Sequence, residues 1–202
     1  MLIGLTGPIG AGKSTVLRML EKLGAAVVSA DHLVHQALEE PEIKKEVAEL
    51  FGQEVLTSDG HIDRARLARE VFSSEEKRRR LEALLHPLVY EEIRRLHEQD
   101  PGRILVAEIP LLVESGGTDL VDLVLVVTSS PETAERRLLK RGMNIQEIQR
   151  RRACQLPQEE KLKAADYVIE NDADLNSLEQ EVKRFWDLLK KQEEKARQGS
   201  EN

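Results

Sequence analysis

Residues 7 to 15 read Gly7-Pro8-Ile9-Gly10-Ala11-Gly12-Lys13-Ser14-Thr15, which spells the phosphate-binding pattern G-x-x-x-x-G-K-[ST]. Glycines let consecutive backbone N–H groups turn inward around a polyphosphate. In such a P-loop the lysine reaches the β- and γ-phosphates and the following hydroxyl ligates Mg²⁺. Gly7, Gly10, Ala11, Gly12, Lys13, Ser14 and Thr15 are therefore the candidate nucleotide ligands, with Ser14 also a metal ligand. From average residue usage, the four fixed positions match by chance in roughly one chain in a hundred of this length.

Other residues fit a phosphoryl transfer. Asp31 follows a short apolar run, where a carboxylate can accept the proton of an attacking hydroxyl or hold Mg²⁺ through water; the competing reading is an N-cap for a helix starting at His32. Glu108 sits near the end of another apolar run. It is either a carboxylate beside Mg²⁺ and nucleotide or a buried acid paired to an element end. Arg137 and Arg141 share one face of a helix opened by Pro131, and Arg151 lies on the next helical stretch. Guanidinium groups closing over a transferring phosphoryl stabilise its spread charge. For most arginines of this segment a solvated face balanced by Glu132, Glu135 and Glu147 is the plainer account; the spacing singles out Arg141, then Arg137 and Arg151.

These residues need a frame. Apolar runs predict strands over Met1–Leu5, Ala26–Ser29, Arg103–Ile109, Leu123–Thr128 and Asp166–Asn171. The third and fourth are nearly continuous rather than alternating, as in strands covered on both faces. Helical patterns separate them, beginning with the stripe Val16, Leu17, Leu20 and Leu23 over Ser14–Leu23. The class is α/β with a mostly parallel, five-stranded sheet. A crossover needs only about a dozen residues, so the long helical stretch 31–99 predicts an inserted subdomain, and the arginine-rich stretch 131–165 a lid. Insertions at strand ends sit where ligands bind. Leu175, Leu178, Val182, Phe185, Leu188 and Leu189 predict a last helix, followed by a polar, frayed tail from Lys190.

Composition sets bounds. Of 202 residues, 40% are hydrophobic but only 3% aromatic, so the core is built from Leu, Val, Ile and Ala. A formal net charge of −7 argues against a nucleic-acid binder and not against a nucleotide in a local basic pocket. Cys154 is the single cysteine, which leaves no disulfide or cysteine metal site within the chain. With no signal-like segment and no apolar run near 18 residues, the expectation is a soluble, cytoplasmic protein acting on a small molecule, monomeric or a small homo-oligomer, with no nucleic-acid or membrane partner.

The guanine motifs N-K-x-D and D-x-x-G are absent from the sequence, which sets GTPases aside and leaves a small-molecule kinase with helical lids. Further motifs sharpen this. Ile3-Gly4-Leu5-Thr6-Gly7 leads the P-loop and Ser29-Ala30-Asp31 follows the second strand. Asp63-Arg64 with Leu67 and Phe72, then Leu85-His86-Pro87, lie in the insert. Ile109-Pro110-Leu111-Leu112-Val113-Glu114 follows the third strand. Arg137-Leu138 with Arg141, Arg151 to Gln155 and Glu159-Glu160-Lys161 occupy the lid, and Ala165 to Asn171 closes the series. In this order, nearly end to end, they resemble the dephospho-coenzyme A kinase family. Pro8 stands where that family often has glycine, Glu108 where aspartate or an apolar residue is more usual, and Val113 for a common phenylalanine; none of these replaces a phosphate ligand.

The resemblance implies a P-loop kinase core (1–30, 100–135 and 165–190), a helical acceptor-binding domain (31–99), a lid (136–164) and a polar tail (191–202). It implies that ATP, with Mg²⁺, phosphorylates the ribose 3′-hydroxyl of dephospho-coenzyme A, giving coenzyme A and ADP. Lys13, Asp31, Arg137 and Arg141 are then the catalytic set. Asp31 is the general base or hydroxyl-orienting group, and Asn171 a wall of the adenine pocket. Thr6, Asp31, Arg64, His86, Pro87, Pro110, Leu111 and Arg151 fall to the acceptor, with His86 and Pro87 in its pocket or hinge; His86 alone reads as a satisfied helix-end histidine. Two other readings stay open: a related kinase of a nucleoside monophosphate or other small alcohol, and a non-catalytic ATP-binding module.

Overall fold

The computed structural model describes the backbone of residues 1–199 and their side chains except those of Phe72 and residues 195–199; Phe72 as a family element and the last part of the tail, 200–202, lie outside the described residues. The chain divides into two units, residues 1–28 with 100–202 and residues 29–99.

The first unit is built on strands β1 (Leu2–Thr6), β2 (Ala26–Ser29), β3 (Leu105–Glu108), β4 (Leu123–Thr128) and β5 (Tyr167–Glu170) in the order β2-β3-β1-β4-β5. The registered pairings of β1 with β3, β1 with β4 and β4 with β5 are all parallel. β1 is central and buried along its whole length, which is why its sequence is apolar without alternation. β3 is shorter than its apolar run because the Arg103 N–H closes a turn on the Asp100 carbonyl instead of entering the ladder. β5 starts one residue later than predicted: the Asp166 N–H still donates to the Val124 carbonyl at 3.0 Å, but its carboxylate rather than a main-chain carbonyl accepts from the Val124 N–H, at 2.8 Å.

Helix α1 (Lys13–Lys22) follows the P-loop, and α9 (Leu175–Gly199) closes the chain. One core joins Ile3, Leu5, Val106, Leu125, Val127 and Ile169 of the sheet to Val16, Leu17 and Leu20 of α1 and to Leu178, Val182, Phe185, Trp186 and Leu189 of α9. The buried stripe of α9 differs from the predicted one: Trp186 takes the inner position, while Leu175 and Leu188 stay exposed. Leu23 is likewise exposed, since α1 ends one residue before it. Where a frayed tail is predicted from Lys190, α9 stays helical to Gly199. Between β4 and β5 run α6 (Pro131–Lys140), α7 (Ile145–Ala153) and α8 (Gln158–Lys163). Pro131 opens α6 at a position needing no N–H. The Ser130 hydroxyl accepts from the Thr133 N–H, and Asn144 caps α7 at the Glu147 N–H.

The second unit contains α2 (Ala30–Ala37), α3 (Pro41–Phe51), α4 (Arg64–Ser73) and α5 (Glu75–Gln99). Its own core is Ala37, Leu38, Ile43, Val47, Phe51, Val55, Ile62, Leu67 and Leu85. Among the described residues no helix is long and apolar enough to cross a membrane.

Candidate active site

The P-loop leaves the carboxyl end of central β1, between β3 and β4, the place where ligands gather in open α/β sheets. Gly7 has φ 144° and an added Cβ would lie 2.1 Å from the Val127 carbonyl oxygen. Gly12 has φ 102° and an added Cβ would lie 2.3 Å from Asn171 Nδ2. Both positions demand glycine twice over, by backbone conformation and by space. α1 begins at Lys13, so its unbonded first-turn N–H groups and positive dipole end face the loop. Lys13, 8% exposed, donates to the carbonyls of Gly7 at 2.9 Å and Pro8 at 3.2 Å. The loop thus holds its own cation inside its own curve.

Ser14 Oγ donates to Glu108 Oε1 at 3.0 Å. Glu108 is 8% exposed at the end of β3, next to the loop's exit. A hydroxyl and a carboxylate side by side at a phosphate cradle are the hard oxygen donors that Mg²⁺ takes, and the pair fits that ion. Both open readings of Glu108 meet here: it is buried and paired, and its partner is the metal-ligand candidate of the P-loop.

On the β4–β5 side, Asn171 is 5% exposed. Its Nδ2 donates to the Ala11 carbonyl at 2.7 Å, and its Oδ1 accepts from Arg137 at 3.1 Å. Arg137 also reaches the Ala11 carbonyl at 3.4 Å. Both residues therefore touch the P-loop itself. Asp172 accepts from the Ser130 backbone N–H and hydroxyl, which holds its carboxyl below the usual range and ties the end of β5 to the start of α6.

The segment after α7 is tied back to the same place. Gln155 Oε1 accepts from the Ile9 N–H at 2.9 Å. Lys161, 0% exposed, pairs with Glu114 at 2.7 Å and donates to the Pro110 carbonyl at 3.0 Å. Thr6 is fully buried and also donates to Pro110, at 3.2 Å; Leu111 beside it is half-buried. Arg141 is exposed at the end of α6. Arg151 is exposed and pairs with Glu147, one turn earlier, at 3.0 Å.

In the second unit, Asp31 is an exposed second residue of α2. The helix starts at Ala30 with extended Ser29 at the cap position, so Asp31 is not the N-cap; it lies in the first turn, where the dipole favours a carboxylate. Arg64 opens α4 behind the Asp63 cap and pairs with Glu39 at 3.6 Å. His86 and Pro87 lie in the middle of α5, not at a helix end. The 25-residue helix runs through Pro87 despite its missing N–H. His86 stacks on Tyr90 at 5.8 Å, and burial lowers its pKa from 6.5 against the opposing pull of Glu82.

Thus Gly7, Ala11, Gly12, Lys13, Ser14, Glu108, Arg137 and Asn171 come together, and Thr6 with Pro110 buttresses them from below. Arg141 and Arg151 point to solvent. Gln155, Glu114 and Lys161 stand in the family motifs, but the sequence assigned none of them a role; their partners lie far along the chain, and no local pattern names such pairs.

A family model described as dephospho-CoA kinase matches residues 1–177. The chain is 44% identical over 185 residues to the dephospho-CoA kinase of Methylococcus capsulatus, covering 90% of this chain and 93% of that one. It is 40% identical over 189 residues to that of Aquifex aeolicus, covering 93% and 96%. The solved structure of the Campylobacter jejuni dephospho-CoA kinase superposes with a TM-score of 0.71 at 27% identity, covering 95% of this chain and 98% of that one.

Proposed function

The chain belongs to the dephospho-CoA kinase family, and on that premise we propose that it transfers the γ-phosphate of ATP to the ribose 3′-hydroxyl of dephospho-coenzyme A, giving coenzyme A and ADP in the final step of coenzyme A synthesis. The observation that carries this reading is the Ser14–Glu108 pair beside Lys13 in the P-loop. A loop that held phosphate without Mg²⁺ would need no carboxylate against its hydroxyl.

The loop N–H groups and Lys13 bind the β- and γ-phosphates and draw charge toward the leaving oxygen. Ser14 and Glu108 are the residues that would hold Mg²⁺, which when bound neutralises charge on the phosphate oxygens. Asp31 accepts the proton as the 3′-oxygen forms its bond to the γ-phosphorus and the bond to ADP breaks. Arg141 and Arg151, exposed on α6 and α7, supply guanidinium groups to the transferring phosphoryl or the acceptor. The helical unit with Arg64, His86 and Pro87 serves the acceptor. The single cysteine suits a reducing, cytoplasmic setting.

The test is ADP release in a coupled assay with dephospho-coenzyme A, AMP, CMP and gluconate as acceptors. Stimulation by dephospho-coenzyme A alone is expected. Stimulation only by a nucleotide or gluconate would move the chain to a sister activity, and no stimulation by any of them would leave a nucleotide-binding module.

A further inference from the structure

One carbonyl of the phosphate loop is held from outside the loop by two side chains. Ala11 O accepts from Asn171 Nδ2 at 2.7 Å and from Arg137 Nη1 at 3.4 Å, while Arg137 Nη2 donates to Asn171 Oδ1 at 3.1 Å. The three groups close a ring of hydrogen bonds. Only one orientation of the Asn171 amide satisfies it, because the carbonyl needs a donor and the guanidinium needs an acceptor. Asn171 is itself immobilised. It is 5% exposed, and its backbone N–H extends the β4–β5 ladder by donating to the Thr128 carbonyl at 2.9 Å.

The consequence follows from peptide geometry. The Ala11–Gly12 peptide is trans, as are all described peptides, so its C=O and N–H point in opposite directions from one rigid plane. Fixing the Ala11 oxygen on the β5 side turns the Gly12 N–H to the other side. Gly12 has no Cβ to obstruct this: one would fall 2.3 Å from Asn171 Nδ2. We propose that Asn171, oriented by Arg137, is a positioning residue that locks the Ala11–Gly12 peptide so that the Gly12 N–H is presented to the polyphosphate before nucleotide arrives. Pre-set donors bind charge without reorganising. This gives Asn171 a different task from lining an adenine pocket, and it makes Arg137 a strut of the loop. It rests on the nucleotide-phosphate part of the reading above and not on the acceptor.

Titration calorimetry with Mg²⁺ and ATP, GTP or inorganic tripolyphosphate tests it, on wild type, Asn171→Ala and Asn171→Asp. The aspartate keeps the shape and the Arg137 partner but turns an oxygen toward the Ala11 oxygen, so it remains informative if the alanine variant does not fold. Both variants are expected to weaken every phosphate ligand by a common factor, about 5- to 20-fold for the loss of one buried hydrogen bond. KM for ATP rises in step, and KM for dephospho-coenzyme A is unchanged. Loss confined to ATP, with tripolyphosphate unaffected, would make Asn171 an adenine contact and overturn the proposal. Wild-type affinities in Asn171→Asp would overturn it too. A wild-type chain that binds ATP but leaves dephospho-coenzyme A unphosphorylated defeats the proposed reaction and leaves this inference standing.

Discussion

Lys161 is the side chain whose replacement has the most calculable effect. It is 0% exposed, and its ammonium sits 2.7 Å from Glu114 Oε1 and 3.0 Å from the Pro110 carbonyl. Glu114 is only 14% exposed, and its Oε2 is buried with no hydrogen-bond partner among the described residues. Lys161→Met keeps most of the volume and removes the charge, so Glu114 is left as a buried anion with one remaining donor, the Leu156 N–H at 2.9 Å. Breaking such a pair costs about 3–5 kcal/mol. At roughly 2–4 °C per kcal/mol for a chain of this size, the melting temperature falls by about 6–20 °C. The double variant Glu114→Leu, Lys161→Met removes both charges. It is expected to regain most of the loss, because a buried pair replaced by apolar groups is often neutral, and the Leu156 N–H lies where it can turn to water. Differential scanning calorimetry on the wild type, the single variant and the double variant measures both effects. A single variant within about 1 kcal/mol of wild type, or a double variant no better than the single, would refute the argument that this pair pins α8 to the turn after β3.

Asp31→Asn is expected to lower turnover about 10²–10⁴-fold while ATP affinity persists; unchanged turnover in the ADP-release assay would leave Asp31 as a first-turn acid and nothing more. Phe185→Ala is expected to cost about 3–5 kcal/mol, since Phe185 is 0% exposed and packs on Tyr167 with ring centroids 4.6 Å apart; chemical denaturation measures it, and a loss below about 1 kcal/mol would contradict the packing account. His86 titrates below its ordinary 6.5 because burial disfavours the imidazolium. On acidification the unfolded chain therefore takes this proton first. Its contribution is complete above 6.5 and is lost as pH falls through the lower folded value. His86→Gln is expected to flatten the fall of melting temperature between pH 6.5 and that lower value, and parallel profiles for the two proteins would rule the effect out.

What the sequence by itself determined is local. The phosphate cradle needs consecutive backbone N–H groups, so Gly7 to Thr15 announce it without any partner. β2 and β4 occupy the residues that their apolar runs predict; for β4, buried along nearly its whole length, the reason is that a strand between two layers of helix needs an uninterrupted apolar run. The acceptor motifs likewise name the family by order alone. What only the tertiary structure decided is who touches whom across long stretches of chain. Ser14 finds Glu108 94 residues away, Ile9 finds Gln155 at 146 and Ala11 finds Asn171 at 160. These pairings depend on sheet order and register, which place the carboxyl ends of β1, β3, β4 and β5 around one loop. Trp186 replaces Leu188 on the inner face of α9, and Lys161 goes from a charged stretch to full burial. Both turn on how a helix docks, and docking is settled by the summed fit of a whole face against its neighbours rather than by the residue types along it.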